Sequence, residues 1–181
     1  MAGTEKNFQV RNASVDDMSA VDRITRTAYE EYAAIMDPIA WEGLREAVEE
    51  GLASRVRADT IVADLDDEIV GSVMLFPPEA VTYGGAVADV RWPEIRLLAV
   101  APSARGMGIA RALVSECLDR ARKRGFQSVG LHTSRSMRIA VEMYRRMGFV
   151  RAPEFDFQPP GDELVEAFVL SLPEDREEPA A

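Results

Sequence analysis

The residues best placed to do chemistry lie in one turn. Arg105-Gly106-Met107-Gly108-Ile109-Ala110 stands between an apolar segment that ends at Val100-Ala101-Pro102 and a long helical pattern that runs on to Arg124. The first turn of a helix has backbone N–H groups with no intrahelical partner and carries a partial positive charge. Glycines there let an anion approach the backbone closely. The turn therefore reads as a phosphate cradle. It is not a P-loop, because Gly-x-x-x-x-Gly-Lys-Ser/Thr is absent. It is not a dinucleotide fingerprint either: Gly106-Met107-Gly108 is followed by Ile109, Ala110 and Arg111, without the third glycine. A Gly-x-Gly also makes an ordinary strand–helix turn, so on its own the motif leaves the ligand open.

Two other reactive side chains are present once each. Cys117 falls on the apolar stripe of the long helix and reads as core filling, so it is not expected to act as a nucleophile. His132 lies in a strand beside that helix with no partner visible in the sequence, and a structural role is favoured over a catalytic one. No His/Cys/Asp cluster has metal-ligand spacing, so no metal is expected.

The elements that must position the turn follow from periodicity. Phe8 to Arg11 alternates as a short strand. Ser14 and Asp17 form a capping box ahead of a helix carrying Met18, Val21, Ile24 and Ala28. A second helix is expected from Pro38 to Arg55, weakened by Gly43 and Gly51. Strands at Thr60–Leu65 and Ile69–Phe76 flank the turn Asp66-Asp67-Glu68, and Glu79 to Trp92, with Gly84-Gly85, reads as a mobile loop with room for some extended structure. Glu94–Val100 is a strand apolar on both faces after Arg96, hence covered on both sides. A helix is predicted from Gly106 to Arg124, a strand at Val129–Thr133, a helix from Met137 to Met147 and a last strand at Leu164–Leu172. Residues 173–181 read as an acidic, flexible tail. One mixed α/β domain over residues 8–172 is the simplest architecture.

Charge adds a constraint. The net charge is −10, yet Arg91 to Arg151 holds 13 Lys/Arg against 4 Asp/Glu, leaving the remainder strongly acidic. An anionic ligand suits the basic segment and a cationic one the acidic remainder. Overall acidity argues against nucleic acid as the main partner. No apolar run approaches the roughly 20 residues of a membrane span. With no signal-peptide pattern and one cysteine, a cytoplasmic location is expected.

The string Glu94-Ile95-Arg96-Leu97-Leu98-Ala99-Val100-Ala101-Pro102-Ser103-Ala104-Arg105-Gly106-Met107-Gly108-Ile109-Ala110-Arg111-Ala112-Leu113 closely resembles the GNAT superfamily of acyl-CoA N-acyltransferases. Its motif Arg/Gln-x-x-Gly-x-Gly/Ala falls on Arg105, Gly108 and Ala110. A second block, Ala140-Val141-Glu142-Met143-Tyr144-Arg145-Arg146-Met147-Gly148-Phe149, resembles the family's following segment in the right order. The resemblance implies a single GNAT-like domain with a central, mixed, mostly antiparallel twisted sheet of about six to seven strands and about four helices. It implies acetyl-CoA as cosubstrate, with Leu98, Ala99 and Val100 pairing with the pantetheine arm. The N–H groups of Arg105, Gly106, Met107, Gly108, Ile109 and Ala110 would hold the pyrophosphate. Met137 and Ala140 line the same site, although many members carry Asn where this chain has Met137, and Met cannot donate that hydrogen bond. Ser134 is one candidate replacement. Dimers are common in the family.

Acetyl transfer to an amine requires a base, an oxyanion donor and an acid. A lysine-like ammonium must lose a proton from a pKa of about 10.4. The resemblance makes Glu94 the candidate base and Tyr144 the acid that protonates the departing sulfur. A backbone N–H near Val100 is the candidate oxyanion donor, turned inward if the strand bulges. Acceptor specificity is assigned to the first two helices, residues 77–92 and the C-terminal strands. These are acidic and hold Tyr29, Tyr32, Trp41, Tyr83 and Trp92, which suits a cationic small amine or peptide amine. A non-catalytic acyl-CoA sensor, or a transferase for a longer acyl chain, is the alternative.

Overall fold

The computed structural model describes residues 8–78, 80–83, 86–159 and 164–172, with backbone alone for 80–83 and 86–89. The chain order is β1 (Gln9–Asn12), α1 (Met18–Glu30), α2 (Pro38–Ala53), β2 (Asp59–Leu65), β3 (Glu68–Phe76), β4 (Ala80–Tyr83), β5 (Ala86–Asp89), β6 (Glu94–Val100), α3 (Ile109–Lys123), β7 (Ser128–Ser134), α4 (Arg138–Arg146), β8 (Val150–Arg151) and β9 (Val165–Ser171). Seven strands form one sheet in the order β1-β2-β3-β6-β7-β9-β8, while β4 and β5 pair only with each other. Every neighbouring pair is antiparallel except β6 and β7. This is the mixed, mostly antiparallel sheet with four helices that the sequence implies.

Local chemistry explains most boundaries. Arg11 closes the entry to α1 by gripping Asp17 at 2.7 Å, and Asp17 also accepts from the Ser14 N–H at 2.6 Å, completing the capping box. Asp37 caps α2 by accepting from the Ile39 N–H at 2.9 Å, with Pro38 at the first helical position. Asp66 and Asp67 both adopt positive φ, the geometry of a two-residue hairpin turn, and join β2 to β3. Three expectations are sharpened. The extended structure allowed within the loop before Trp92 is the β4–β5 hairpin, although Gly84, Gly85 and the tail 173–181 lie outside the described residues. Strand β3 begins at Glu68, one residue before the expected strand. Helix α3 begins at Ile109, three residues after Gly106, because Gly106 and Gly108 take φ of 80° and 81° and cannot belong to a right-handed helix.

The sheet separates two cores. Ile61, Ala63, Val73, Leu75, Ile95, Val129 and Leu131 pack with Leu113, Val114 and Cys117 of α3 and with Val141 and Tyr144 of α4. The alternate residues Val62, Met74, Phe76, Leu97 and Ala99 pack with Val21 and Ile24 of α1 and with Val48 and Leu52 of α2. The period of two along the strands produces this division. Helices α1 and α2 therefore cover one face, and α3 and α4 the other. Among the described residues no helix is long and apolar enough to cross a membrane.

Candidate active site

The central feature is a split in the sheet. Parallel strands β6 and β7 are in register only at Glu94–Gly130 and Ile95–Leu131. Beyond that point β6 pairs with β3 alone and β7 with β9 alone. The β7-facing edge of β6 from Arg96 to Val100 is thus left without a strand partner among the described residues. An unpaired strand edge presents N–H and C=O groups to whatever extended chain enters the gap.

A bulge helps aim that edge. On β3 only Val73 lies between the partners of Ala99 and Arg96, whereas β6 places both Leu97 and Leu98 there. Two residues against one is a β-bulge, and Leu97 carries φ of 52°. A leucine at positive φ is strained and persists only where packing determines it. Here Leu97 is driven against α2: a Cβ on Gly51 would lie 2.8 Å from Leu97 Cδ1. The glycine that weakens α2 in the sequence is thus the space that seats the bulge. The bulge falls two to three residues before Val100, nearer the start of the strand than the sequence reading placed the oxyanion donor.

The phosphate turn sits at the open end of β6. A Cβ at Gly106 or Gly108 would meet nothing within 4 Å, so their backbone faces open space. Gly108 is the N-cap of α3, and the first backbone bond across it runs from the Ala112 N–H to the Gly108 carbonyl at 3.0 Å. The intervening N–H groups of the first turn are the donors an anion would meet. These residues fit a pyrophosphate cradle. The Arg105 side chain instead reaches Glu31, just after α1, in a bidentate pair of 2.9 and 3.0 Å. A polar cavity on α4, lined by Arg135, Arg138, Val141, Glu142, Arg145 and Glu166, takes up part of the basic segment's charge.

Tyr144 stands on α4, within the core that α3 and α4 share with the sheet. Its side chain is buried, with its ring 5.6 Å from that of Phe149. Burial, then the nearby Tyr29, Cys117 and Tyr32, push its pKa well above the ordinary phenol value, so the hydroxyl stays protonated at neutral pH. Tyr29 belongs to α1 and Tyr144 to α4, on opposite faces of the sheet. Tyr29 and Tyr32 are themselves 6.1 Å apart, and burial raises the pKa of each.

Glu94 closes the floor of the split. Its side chain is fully buried, and Oε1 lies 3.1 Å from His132 Nδ1 and 3.4 Å from Arg96 Nε. His132 Nε2 reaches the Phe155 carbonyl at 3.0 Å. Trp92 seals this floor from below. Its indole lies over Gly130 and meets the Phe155 ring edge-on, with centroids 4.6 Å apart. Trp92 is thus buried in packing contacts with Phe155; the Tyr83 side chain lies outside the described residues. The His132–Glu94 contact is hidden in the sequence because the two residues are 38 positions apart. The alternation of β6 and β7, combined with the Glu94–Gly130 register, is the signal that reveals it.

The remaining expected residues divide clearly. Leu98, Ala99 and Val100 lie on the split edge of β6, and Ala140 packs beside the α3–α4 core. Met137 is the N-cap of α4 and is buried, its sulfur accepting from the Thr133 hydroxyl at 3.4 Å. The Ser134 hydroxyl accepts from the Ser136 N–H at 3.0 Å. Cys117 is fully buried, and burial raises its thiol pKa, which suits core filling.

Comparison with known proteins agrees with this geometry. Residues 21–149 match the acetyltransferase (GNAT) family, and the chain belongs to that family. It is 35% identical over 106 residues to a mycothiol acetyltransferase from Cellulomonas flavigena, a match covering 57% of this chain and 30% of that protein. The chain thus spans about a third of that relative's length. Among solved structures it resembles a ribosomal-protein-alanine N-acetyltransferase from Brucella melitensis, with TM-score 0.63, 22% identity and coverage of 91% and 99% of the two chains. A GNAT family acetyltransferase from the same organism, in complex with acetyl-CoA, is similar at TM-score 0.61 and 21% identity, over 93% and 90%. These structural likenesses establish the fold.

Proposed function

We propose that this protein transfers the acetyl group of acetyl-CoA to a primary amine, by direct attack with both substrates bound. The observation that carries this reading is the split between β6 and β7, with the Gly106–Gly108 cradle at its open end and Glu94 at its floor. The edge from Leu98 to Val100 offers strand-like pairing to the pantetheine arm, and the N–H groups from Arg105 to Ala110 hold the pyrophosphate. Acetyl-CoA supplies the activated thioester. Backbone N–H groups at the Leu97–Leu98 bulge stabilise the oxyanion. Glu94 takes a proton from the attacking ammonium, directly or through one water molecule, since its carboxylate has no exposed surface. Tyr144 is held protonated by burial and gives its proton to the sulfur.

The acceptor is a cationic small amine or a peptide amine. The acidic remainder of the chain, and Tyr29 and Tyr32, support a positively charged substrate. A buried cysteine with a raised pKa disfavours a ping-pong route. The test is thiol release from acetyl-CoA with spermidine, a lysine-bearing peptide and a peptide with a free N-terminus, with longer acyl-CoAs in parallel. Glu94→Gln should lower kcat about ten-fold or more. Acetyl-CoA binding without turnover on any amine would favour a sensor instead. Better turnover with a longer acyl group would replace the acetyl assignment.

A further inference from the structure

We propose that His132 is the terminal acceptor of the proton that leaves the amine, reached through Glu94, so that the base is a carboxylate–imidazole pair. The inference rests on the acetyltransferase reading above. His132 acts through Glu94 and is a positioning residue.

The hydrogen-bond geometry requires a shared proton. The Phe155 carbonyl can only accept, so His132 Nε2, 3.0 Å away, carries a hydrogen. In a neutral ring Nδ1 would then hold a lone pair. That lone pair would face Glu94 Oε1 at 3.1 Å, oxygen against nitrogen, with nothing between them. A proton must lie on this line, on one atom or the other. The two side chains are 1% and 0% exposed, where an isolated carboxylate would be costly. With the shared proton the pair has no net charge, whichever atom holds it.

Other charged groups frame the pair. Arg96 lies 3.4 Å from Glu94 Oε1, from the same strand. From the far side His132 acts on Asp156, whose carboxylate is engaged by both terminal nitrogens of Arg151 at 2.7 Å. The Phe157 ring packs against the imidazole at 5.3 Å. Asp156 thus has its opposite charge in Arg151, while Arg96 faces the pair from the Glu94 side.

The proton inventory then closes. The ammonium gives one proton to Glu94, and the shared proton settles on His132 Nδ1. This leaves a neutral carboxyl and an imidazolium, so positive charge moves from the amine to the ring and none is created. The amine lone pair forms the C–N bond as the C–S bond breaks. The second proton lost by nitrogen replaces the one that Tyr144 gives to sulfur. The products are the amide, CoA thiol and one proton, held on the pair until release. A lone carboxylate ordinarily titrates at about 4.3 and an imidazole at about 6.5, so the relay brings the base closer to neutral pH.

The chain has a single histidine, so ring-nitrogen NMR on histidine-labelled protein reads His132 alone. In the wild type at neutral pH, Nε2 should be protonated and Nδ1 should share a proton with Glu94. In Glu94→Gln, Nδ1 should move to the unprotonated limit while Nε2 stays protonated. His132→Asn keeps a donor toward Glu94 but cannot take a proton. With acetyl-CoA and the best acceptor of the panel, it should lower kcat about ten-fold or more, leave the KM for acetyl-CoA within about two-fold, and shift the acidic limb of the kcat profile toward the carboxylate range by about one to two pH units. His132→Gln is the second variant if the first does not fold. An Nδ1 signal indifferent to Glu94→Gln, or a wild-type pH profile in a folded His132 variant, overturns the relay. Failure of the wild type on every amine counts against the proposed function, and the NMR arm still decides the shared proton.

Discussion

Gly130→Ala should damage both the packing beneath the site and the site itself. A Cβ at this position would lie 1.9 Å from Trp92 Nε1, 2.5 Å from Cδ1 and 2.7 Å from Cε2. Ordinary contact begins near 3.4 Å, so the indole must retreat by about 1.5 Å. It has little room, being buried and held edge-on by Phe155. Overpacking of this kind costs about 1–3 kcal/mol. For a domain of this size that is a fall in Tm of about 2–12 °C. The displaced Phe155 would also carry its carbonyl away from His132 Nε2, so kcat should fall with little change in the KM for acetyl-CoA. Thermal unfolding of the single variants and of Gly130→Ala combined with Trp92→Leu gives the decisive cycle. In the Trp92→Leu background the clashing atoms are gone, and Gly130→Ala should cost about 0.5 kcal/mol or less. If Gly130→Ala melts within about 1 °C of the wild type, or costs the same in the Trp92→Leu background, the proposed packing is wrong.

Three other substitutions probe the acid, the cradle and the capping box. Tyr144→Phe removes the proton donor but keeps the ring against Phe149, so steady-state kinetics should show kcat falling more than the affinity for acetyl-CoA. Gly108→Ala places a side chain at φ of 81°; calorimetry should show a loss of about 1 kcal/mol, with weaker acetyl-CoA binding by titration. Asp17 is held well below the usual carboxylate range, first by its hydrogen bond from Arg11. A depressed folded pKa means stability that is present above the ordinary value of about 3.9 and is lost as pH falls. Asp17→Asn should therefore cost about 1.5–3 kcal/mol at neutral pH, and denaturant titrations should show the gap to wild type narrowing below about pH 4.

Much of the fold is legible in the sequence because it depends on near neighbours. The capping box at Ser14 and Asp17, the Asp37-Pro38 helix start and the Asp66-Asp67 turn each act over two to four residues. The strand from Glu94 to Val100 can be read to its ends because its apolar run is bounded by Pro93 and Pro102. The β4–β5 hairpin reads only as a loop with some extended structure because Val81 to Ala88 has no alternation strong enough to outweigh its central glycines. His132 looks merely structural in the sequence because its partner is brought to it only by the parallel register of β6 and β7.

The positions that break local rules prove to be the ones that build the split. Leu97 takes a backbone angle that leucine avoids, Gly51 weakens a helix, and Gly130 weakens a central strand. Each looks unfavourable alone. Together they have one consequence. Gly51 accepts Leu97, so β6 bulges after Arg96, just beyond its last rung with β7 at Ile95. Gly130 accepts Trp92, so the last paired rung of β6 and β7 is sealed by an indole where a side chain would otherwise stand. The sheet is thereby closed below Glu94 and open above it. The carboxylate at that boundary is fully buried, with His132 on one side and Arg96 on the other. Local conflict of this kind, resolved only by tertiary contacts, is expected where function rather than stability has set the sequence.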